Sequence, residues 1–277
     1  MSLFIASLNS GSNGNCYYIG NNEEAIFIDA GISCRETEKR MARLDLPMKK
    51  VKAVFISHEH IDHIKGIETI SRKYDLPVYI TESTHRASAI SLQPQLVRTF
   101  KKNKATQVGN LAITAFPKNH DAQNPHSFIV SSGTVTVGIF TDIGYACKDV
   151  TRHFSQCHAA FLESNYDEQM LMNGSYPFHL KNRISNGNGH LSNKQALELF
   201  RSYRAPFLSH LLLSHLSHNN NSPEIVNTLF SPYAGNTTIV LASRHKETAV
   251  YHIAGNPRLN QRDILKNKEK HVQLSLF

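Results

Sequence analysis

Val51-Lys52-Ala53-Val54-Phe55-Ile56-Ser57-His58-Glu59-His60-Ile61-Asp62-His63 is the stretch that decides the fold. Its first seven residues are mostly apolar and predict a buried strand over 51–57, with a helix from about Asp62. The next six hold four strong metal ligands in the pattern HxHxDH. Side chains on an extended segment repeat every two residues, so His58 and His60 share a side. The turn into the helix presents Asp62 and His63 to a neighbouring point. One pair suits one cation and the other pair a second. Imidazole nitrogens and carboxylate oxygens suit zinc, with manganese or iron as alternatives. The bland reading, a polar turn of solvated histidines, does not explain why four ligand types crowd a strand end.

Two such pairs need further ligands, and later strand ends offer them. His120 follows the predicted strand Leu111–Phe116, Asp142 follows Val135–Phe140, and His215 follows Leu208–Leu213. Any one of these is more often a hydrogen-bonded His or a turn Asp. Together, each just past an apolar strand, they point to loops gathered at one sheet edge.

The rest of the chain predicts more short strands: Leu3–Leu8, Cys16–Ile19, Ala25–Asp29, Phe128–Val130, Ala159–Leu162, Thr237–Ala242 and Ala249–Ile253. Ser33 with Glu36 and Ser192 with Gln195 have the spacing of capping boxes, opening helices over about 34–44 and from about 192; a further helix is predicted over Pro223–Phe230. Strands with interspersed helices in both halves make a mixed α/β sandwich.

Composition sets the outer bounds. The chain has 277 residues, 40% of them hydrophobic, which is enough for a sizeable core. Sixteen His exceed the nine Asp and the thirteen Glu separately, so the placement of His carries the functional reading. A net charge of +8 favours polyanionic partners, though a basic chain is often merely soluble. Cys16, Cys34, Cys147 and Cys157 form no CxxC, and reduced thiols in a reducing compartment are expected. No apolar run is long enough for a membrane span, and the start at Met1 lacks a basic n-region, so a cytoplasmic location is expected. One domain is expected over 1–256, with a polar basic tail at 257–277 that includes Arg258, Arg262, Lys266, Lys268 and Lys270.

The sequence resembles the metallo-β-lactamase fold family. Asp29 in Phe27-Ile28-Asp29-Ala30-Gly31, the HxHxDH run, His120, Asp142 and His215 match its five motifs in order. Closer similarity to the YycJ/WalJ group, regarded as 5′–3′ exonucleases, lies in Ser7–Cys16, His120-Asp121-Ala122, Thr141–Gly144, Glu163–Asp167, Gly189–Asn193 and His215-Leu216-Ser217. The resemblance spans about residues 3–255. His126 and Asn186-Gly187-Asn188 depart from the group, where they could alter substrate contacts.

The resemblance implies an αββα four-layer sandwich, two mixed β-sheets flanked by helices, with metals at one edge. It implies two divalent cations: His58, His60 and His120 on the first, Asp62, His63 and His215 on the second, Asp142 bridging, and Asp29 orienting the histidine turn. Water between the cations would lose a proton and attack phosphorus in line. Asp62 is a ligand first, with any base role secondary. Members similar to ribonuclease Z carry a non-ligand His shortly before the last ligand, for phosphate contact and proton delivery. His190, 25 residues before His215, matches it, with Glu163 as its acidic partner. A helix-start residue beside the Ser192 cap is the competing reading of His190.

A nucleic acid, DNA ahead of RNA, is the implied partner. Within Tyr166–Arg183, Tyr166 is expected to stack bases and Lys181 and Arg183 to meet phosphates, unless this is an ordinary amphipathic helix. Ser243-Arg244-His245 is a weaker phosphate candidate. Asp142 and His215 are 73 residues apart, which leaves no room for the extra domain of β-CASP nucleases. The alternatives are a hydrolase of a small ester, thioester, lactone or phosphodiester on the same fold, or a metal-bound regulatory protein. Oligomeric state is left open.

Overall fold

The computed structural model describes residues 1–255; the tail at 257–277 lies outside them. The first sheet holds β1 (Ser2–Asn9), β2 (Cys16–Gly20), β3 (Ala25–Ile28), β4 (Val51–Phe55), β5 (Val78–Tyr79) and β6 (Val97–Arg98) in that order. The second holds β7 (Ala105–Val108), β8 (Leu111–Pro117), β9 (His126–Ser132), β10 (Val135–Phe140), β11 (Ala159–Glu163), β12 (His210–Ser214) and β13 (Thr238–Leu241). The last strand, β14 (Tyr251–Ala254), returns to the first sheet and pairs with β1.

Both sheets follow one plan. From β14 to β3, and from β7 to β10, neighbours are antiparallel. From β3 to β6, and from β10 to β13, they are parallel. Parallel strands need crossovers, and helices supply most of them. On the first sheet these are α1 (Cys34–Arg43), α2 (Ile61–Ile64), α3 (Ile67–Tyr74) and α4 (Glu82–Ser88). On the second they are α5 (Lys148–Phe154), α6 (Glu168–Asn173), α7 (Phe178–Ser185), α8 (Asn193–Tyr203) and α9 (Pro223–Phe230).

Three apolar clusters glue the four layers. Leu3, Tyr17, Phe55, Phe128 and Phe161 fill the space between the sheets. Phe27, Met41, Ile67 and Ile70 join α1 and α3 to the first sheet. Phe140, Phe154, Phe200 and Phe230 join α5, α8 and α9 to the second. Each large side chain buried this way contributes about 1.5–3 kcal/mol by removing apolar area from water. The αββα architecture is therefore as the sequence pattern and its resemblance implied.

Several boundaries move. The predicted strand at 208–213 lies at His210–Ser214, and that at 249–253 at Tyr251–Ala254. The helix expected from Asp62 is two pieces, α2 and α3, with Gly66 between; a Cβ on Gly66 would collide with the Ile32 carbonyl. Ser192 and Gln195 form a complete capping box. At Ser33 only half of the box exists: Ser33 accepts from Glu36 N, while the Glu36 carboxylate turns to Arg40.

Candidate metal centre

The parallel strands end at a common edge, and the loops there carry the chemistry. Asp29 follows β3 directly, His58–His63 follow β4, Asp142 follows β10, Glu163 ends β11 and His215 follows β12. Asp29, Asp142 and His215 adopt φ of +62°, +54° and +56°. The left-handed region is unfavourable for residues with a Cβ, and such strain gathers at functional sites. Here it turns each side chain sharply off its strand end.

Asp29 anchors the histidine turn. Its Oδ1 accepts from Ser57 N at 2.8 Å, and its Oδ2 accepts from Ser57 Oγ at 2.9 Å and from His63 Nδ1 at 2.7 Å. With the His63 proton on Nδ1, Nε2 becomes the electron-pair donor facing the centre. Gly31 sits so close that a Cβ would strike the Asp62 carbonyl. Asn15 Nδ2 donates to Asp62 Oδ2 at 3.1 Å and fixes that carboxylate.

Two groups of donor atoms converge. His58 Nε2 lies 3.1 Å from His60 Nδ1, which lies 3.3 Å from His120 Nε2. His120 Nδ1 donates to Gly189 O at 2.9 Å, leaving Nε2 as its donor atom. Nitrogens bound tetrahedrally to zinc at about 2.0–2.1 Å stand about 3.3 Å apart, so this spacing fits one shared cation. Asp62, His63 and His215 form the second group, with Asp62 Oδ2 at 3.5 Å from Nε2 of each His.

Asp142 spans both groups. Its Oδ1 is 3.5 Å from His215 Nε2 and 3.9 Å from His120 Nε2, and its Oδ2 is 3.2 Å from His63 Nε2. That Oδ2 is buried and accepts no hydrogen bond. A carboxylate oxygen facing an imidazole lone pair is repulsive unless positive charge lies between them, so the donor set fits divalent cations.

The electrostatics agree. Burial, His63 and Lys118 push His58 well below its usual range; burial pushes His120 down to about 3. Both stay neutral, the form in which an imidazole can hold a cation. Burial also opposes charge on His215, but Asp142, Asp62 and Glu163 outweigh it and raise that group to about 10. The pocket thus favours positive charge at its centre.

Beside the ligands stands a second pair. Glu163 is fully buried, and its Oε1 lies 2.6 Å from His190 Nδ1 and 3.2 Å from His215 Nδ1. Its Oε2 accepts from Ile143 N at 2.8 Å and Leu191 N at 3.2 Å. Burial pushes the Glu163 carboxyl up, but His190 and His215 hold it down to about 2.

The expected substrate residues fare differently. Tyr166 is only 5% exposed, and its backbone bridges Ser192, so it cannot stack a base. An aromatic among cations reads as surface in sequence, but pairing across to the α8 cap turns it inward. Arg183 Nε pairs with Asp121 Oδ2 at 2.5 Å, and Asp121 Oδ1 lies 3.4 Å from His120 Nε2. Lys181 Nζ donates to Met172 O at 2.6 Å. His126 is buried with its ring against Phe100 and its Nδ1 on Asn124 O, and its backbone N–H donates to Ser57 O, so it does not meet substrate. Asn186–Asn188 pack on Gly144, whose Cβ would strike Gly187 O. Ser243 O and Arg244 O accept from Ser10 N and Asn13 Nδ2, which lays that segment on the loop before β2.

Sequence reasoning missed Lys118. Buried, with Nζ donating to Thr141 O at 2.8 Å, it clamps the turn that carries Asp142. A lysine two residues before a His carries no signal of its own; only the adjacency of the β8 and β10 ends reveals it.

A family model described as the β-lactamase superfamily domain matches residues 24–215. The chain is 33% identical over 230 residues to "Exodeoxyribonuclease YycJ" of Bacillus anthracis, covering 81% of this chain and 86% of that protein. The chain belongs to the metallo-β-lactamase superfamily, in its YycJ/WalJ group. A second relative, "Exodeoxyribonuclease WalJ" of Streptococcus pneumoniae, is 30% identical over 223 residues, 79% of this chain and 83% of its own length. The metallo-β-lactamase fold protein YhfI of Bacillus subtilis superimposes with a TM-score of 0.68 at 16% identity, over 91% of this chain and all of that one. As a member of this superfamily the chain is a metal-dependent hydrolase, and its His/Asp clusters form a divalent-metal site. Among the described residues no helix is long and apolar enough to cross a membrane.

Proposed function

We propose that this chain hydrolyses nucleic-acid phosphodiesters as a 5′–3′ exonuclease using two divalent cations. His58, His60 and His120 would hold the first cation and Asp62, His63 and His215 the second, with Asp142 facing both groups. Zinc suits the imidazole-rich set best, with manganese or iron as substitutes. DNA is favoured over RNA, following the names of the two relatives. The thiols of Cys16, Cys34, Cys147 and Cys157 are unpaired, which suits the cytoplasm.

The observation that carries the reading is the His190–Glu163 pair beside the ligands. When bound, the cations supply a nucleophilic water at neutral pH and positive charge for the phosphate oxygens. A phosphodiester also needs a proton for its poorly leaving alkoxide, whereas an activated ester does not. Glu163 holds His190 by Nδ1, so Nε2 is the nitrogen that delivers this proton. The His190 side chain is 20% exposed, so substrate can reach it. Asp62 acts as a ligand, steadied by Asn15. Lys118 holds the Thr141 carbonyl and so the approach of Asp142.

Digestion of 5′- and 3′-end-labelled single- and double-stranded DNA and RNA, with a metal-stripped control, tests the reading. The expected result is metal-dependent release of short products from the 5′ end. Hydrolysis of a thioester, a lactone or nitrocefin with no release from any polynucleotide would overturn it.

A further inference from the structure

The core buries almost every large apolar residue, so the exceptions are informative. Among the described residues seven large hydrophobics are exposed. Two of them adjoin metal-centre residues in the chain, and two lie on the segment between Glu163 and His190. Ile61, 69% exposed, lies between ligands His60 and Asp62. Tyr145, 45% exposed, follows the Asp142 turn. Met172 and Phe178, 65% and 82% exposed, lie in the segment leading to His190.

The helix α7 carries Phe178 and has no folding reason to expose it. None of its residues is buried, and it holds no acidic residue. Its last turn is fastened to the centre: Arg183 pairs with Asp121 beside His120, and His190 N donates to Ile184 O. Phe178 stands five residues earlier than Arg183, about 7–8 Å along the helix axis. Lys181 lies at i+3 from Phe178, so the aromatic and the cation share one face of α7, and Lys181 Nζ donates to the Met172 carbonyl. Tyr145 lies next to Gly144, which packs on the turn ending α7.

We propose that Phe178 is a stacking platform for unpaired nucleobases of the strand that reaches the metal centre, and that Lys181 meets their backbone. This rests on the nucleic-acid reading above and specifies it: the strand must enter with its terminal bases unstacked from any complement. Flat apolar rings beside cations, on a helix without carboxylates, match a polyanion with exposed base faces. Along its length a closed duplex presents only base edges and phosphates, and would leave the ring in water.

The test compares kcat/KM on a single-stranded oligonucleotide with kcat/KM on bis-p-nitrophenyl phosphate, which has no base. Metal-loaded wild type, Phe178→Ala and Phe178→Trp are measured side by side. The expected result is a roughly tenfold fall in the oligonucleotide-to-diester ratio in F178A, the order set by one lost base stack, with recovery in F178W. A 2-aminopurine near the 5′ end should be quenched on binding to wild type and less so to F178A. An unmoved ratio with normal oligonucleotide cleavage overturns this inference alone. Wild type that cleaves the diester but no oligonucleotide overturns both readings. An unmoved ratio together with loss of a wild-type dimer overturns it in favour of a second copy of the chain.

Discussion

Glu163 Oε1 contacts His190 Nδ1 at 2.6 Å and, with the same oxygen, His215 Nδ1 at 3.2 Å. One buried carboxylate therefore touches both His215, proposed as a ligand, and His190, proposed as the proton donor. His190→Ala removes only the non-ligand, so metal content should persist. Turnover on an oligonucleotide should fall roughly 10²–10⁴-fold, the range for losing a general acid. A p-nitrophenolate leaving group needs no proton and should lose far less. Glu163→Gln should differ in kind, because it also disturbs His215 and the Ile143 and Leu191 amides. It should lower metal affinity as well as turnover. Paired kinetics and metal analysis check this; equal losses on both substrates in H190A would return His190 to a positioning role.

Asp142 faces both ligand groups, whereas His60 faces only His58 and His120. Purified wild type should carry about two equivalents of divalent metal, the number the two donor groups suit. His60→Ala should lose about one, and Asp142→Asn should lower both. Elemental analysis after dialysis measures the stoichiometry. Full occupancy in both variants would sink the ligand assignment, and an identical loss of one equivalent in both would sink the bridging role.

Asp29→Asn isolates what a carboxylate adds behind a ligand. Asn tolerates the left-handed backbone that Asp29 adopts at φ +62°, so the turn should survive. The charge that fixes His63 Nδ1–H is lost, while the ligand itself stays. Metal affinity should fall about 10–100-fold, the usual effect of removing such a partner. Chelator competition reads it directly, and an unchanged dissociation constant would show that Ser57 alone orients the ring.

The legibility of the chain followed from how locally each feature is encoded. The HxHxDH turn is contiguous, so its four ligand types are legible together between an apolar strand and a helix start. Asp142 and His215 became readable because apolar strands precede them. The two-residue strands β5 and β6 hold too few side chains for any period to show, and they escaped. Lys118 depends on two strand ends lying side by side, a fact no local pattern carries. Tyr166 was misread because burial by pairing with the α8 cap is a tertiary event. Phe178 lay in the same stretch, and only its exposure separates it from Tyr166.

His153 gives a pH dependence remote from the metal ligands. It lies on α5 with its ring stacked on Phe116, centroids 4.3 Å apart. Burial, helped by the adjacent Arg152 charge, pushes its pKa from 6.5 down to about 4. As pH falls from 6.5 to about 4, the unfolded chain takes up a proton at this position and the folded chain does not. The unfolded state binds more protons there, so stability present above pH 6.5 is lost progressively across that window. His153→Phe keeps a ring against Phe116 and removes the titration. Its melting temperature should therefore fall less than that of wild type between pH 7 and pH 4.5. Other buried histidines titrate in both proteins and cancel in the difference. Thermal melts of the two proteins in matched buffers supply the measurement. Parallel melting curves across the window would mean that His153 is protonated in the folded state at the same pH as in the unfolded one, and would remove it as a source of acid sensitivity.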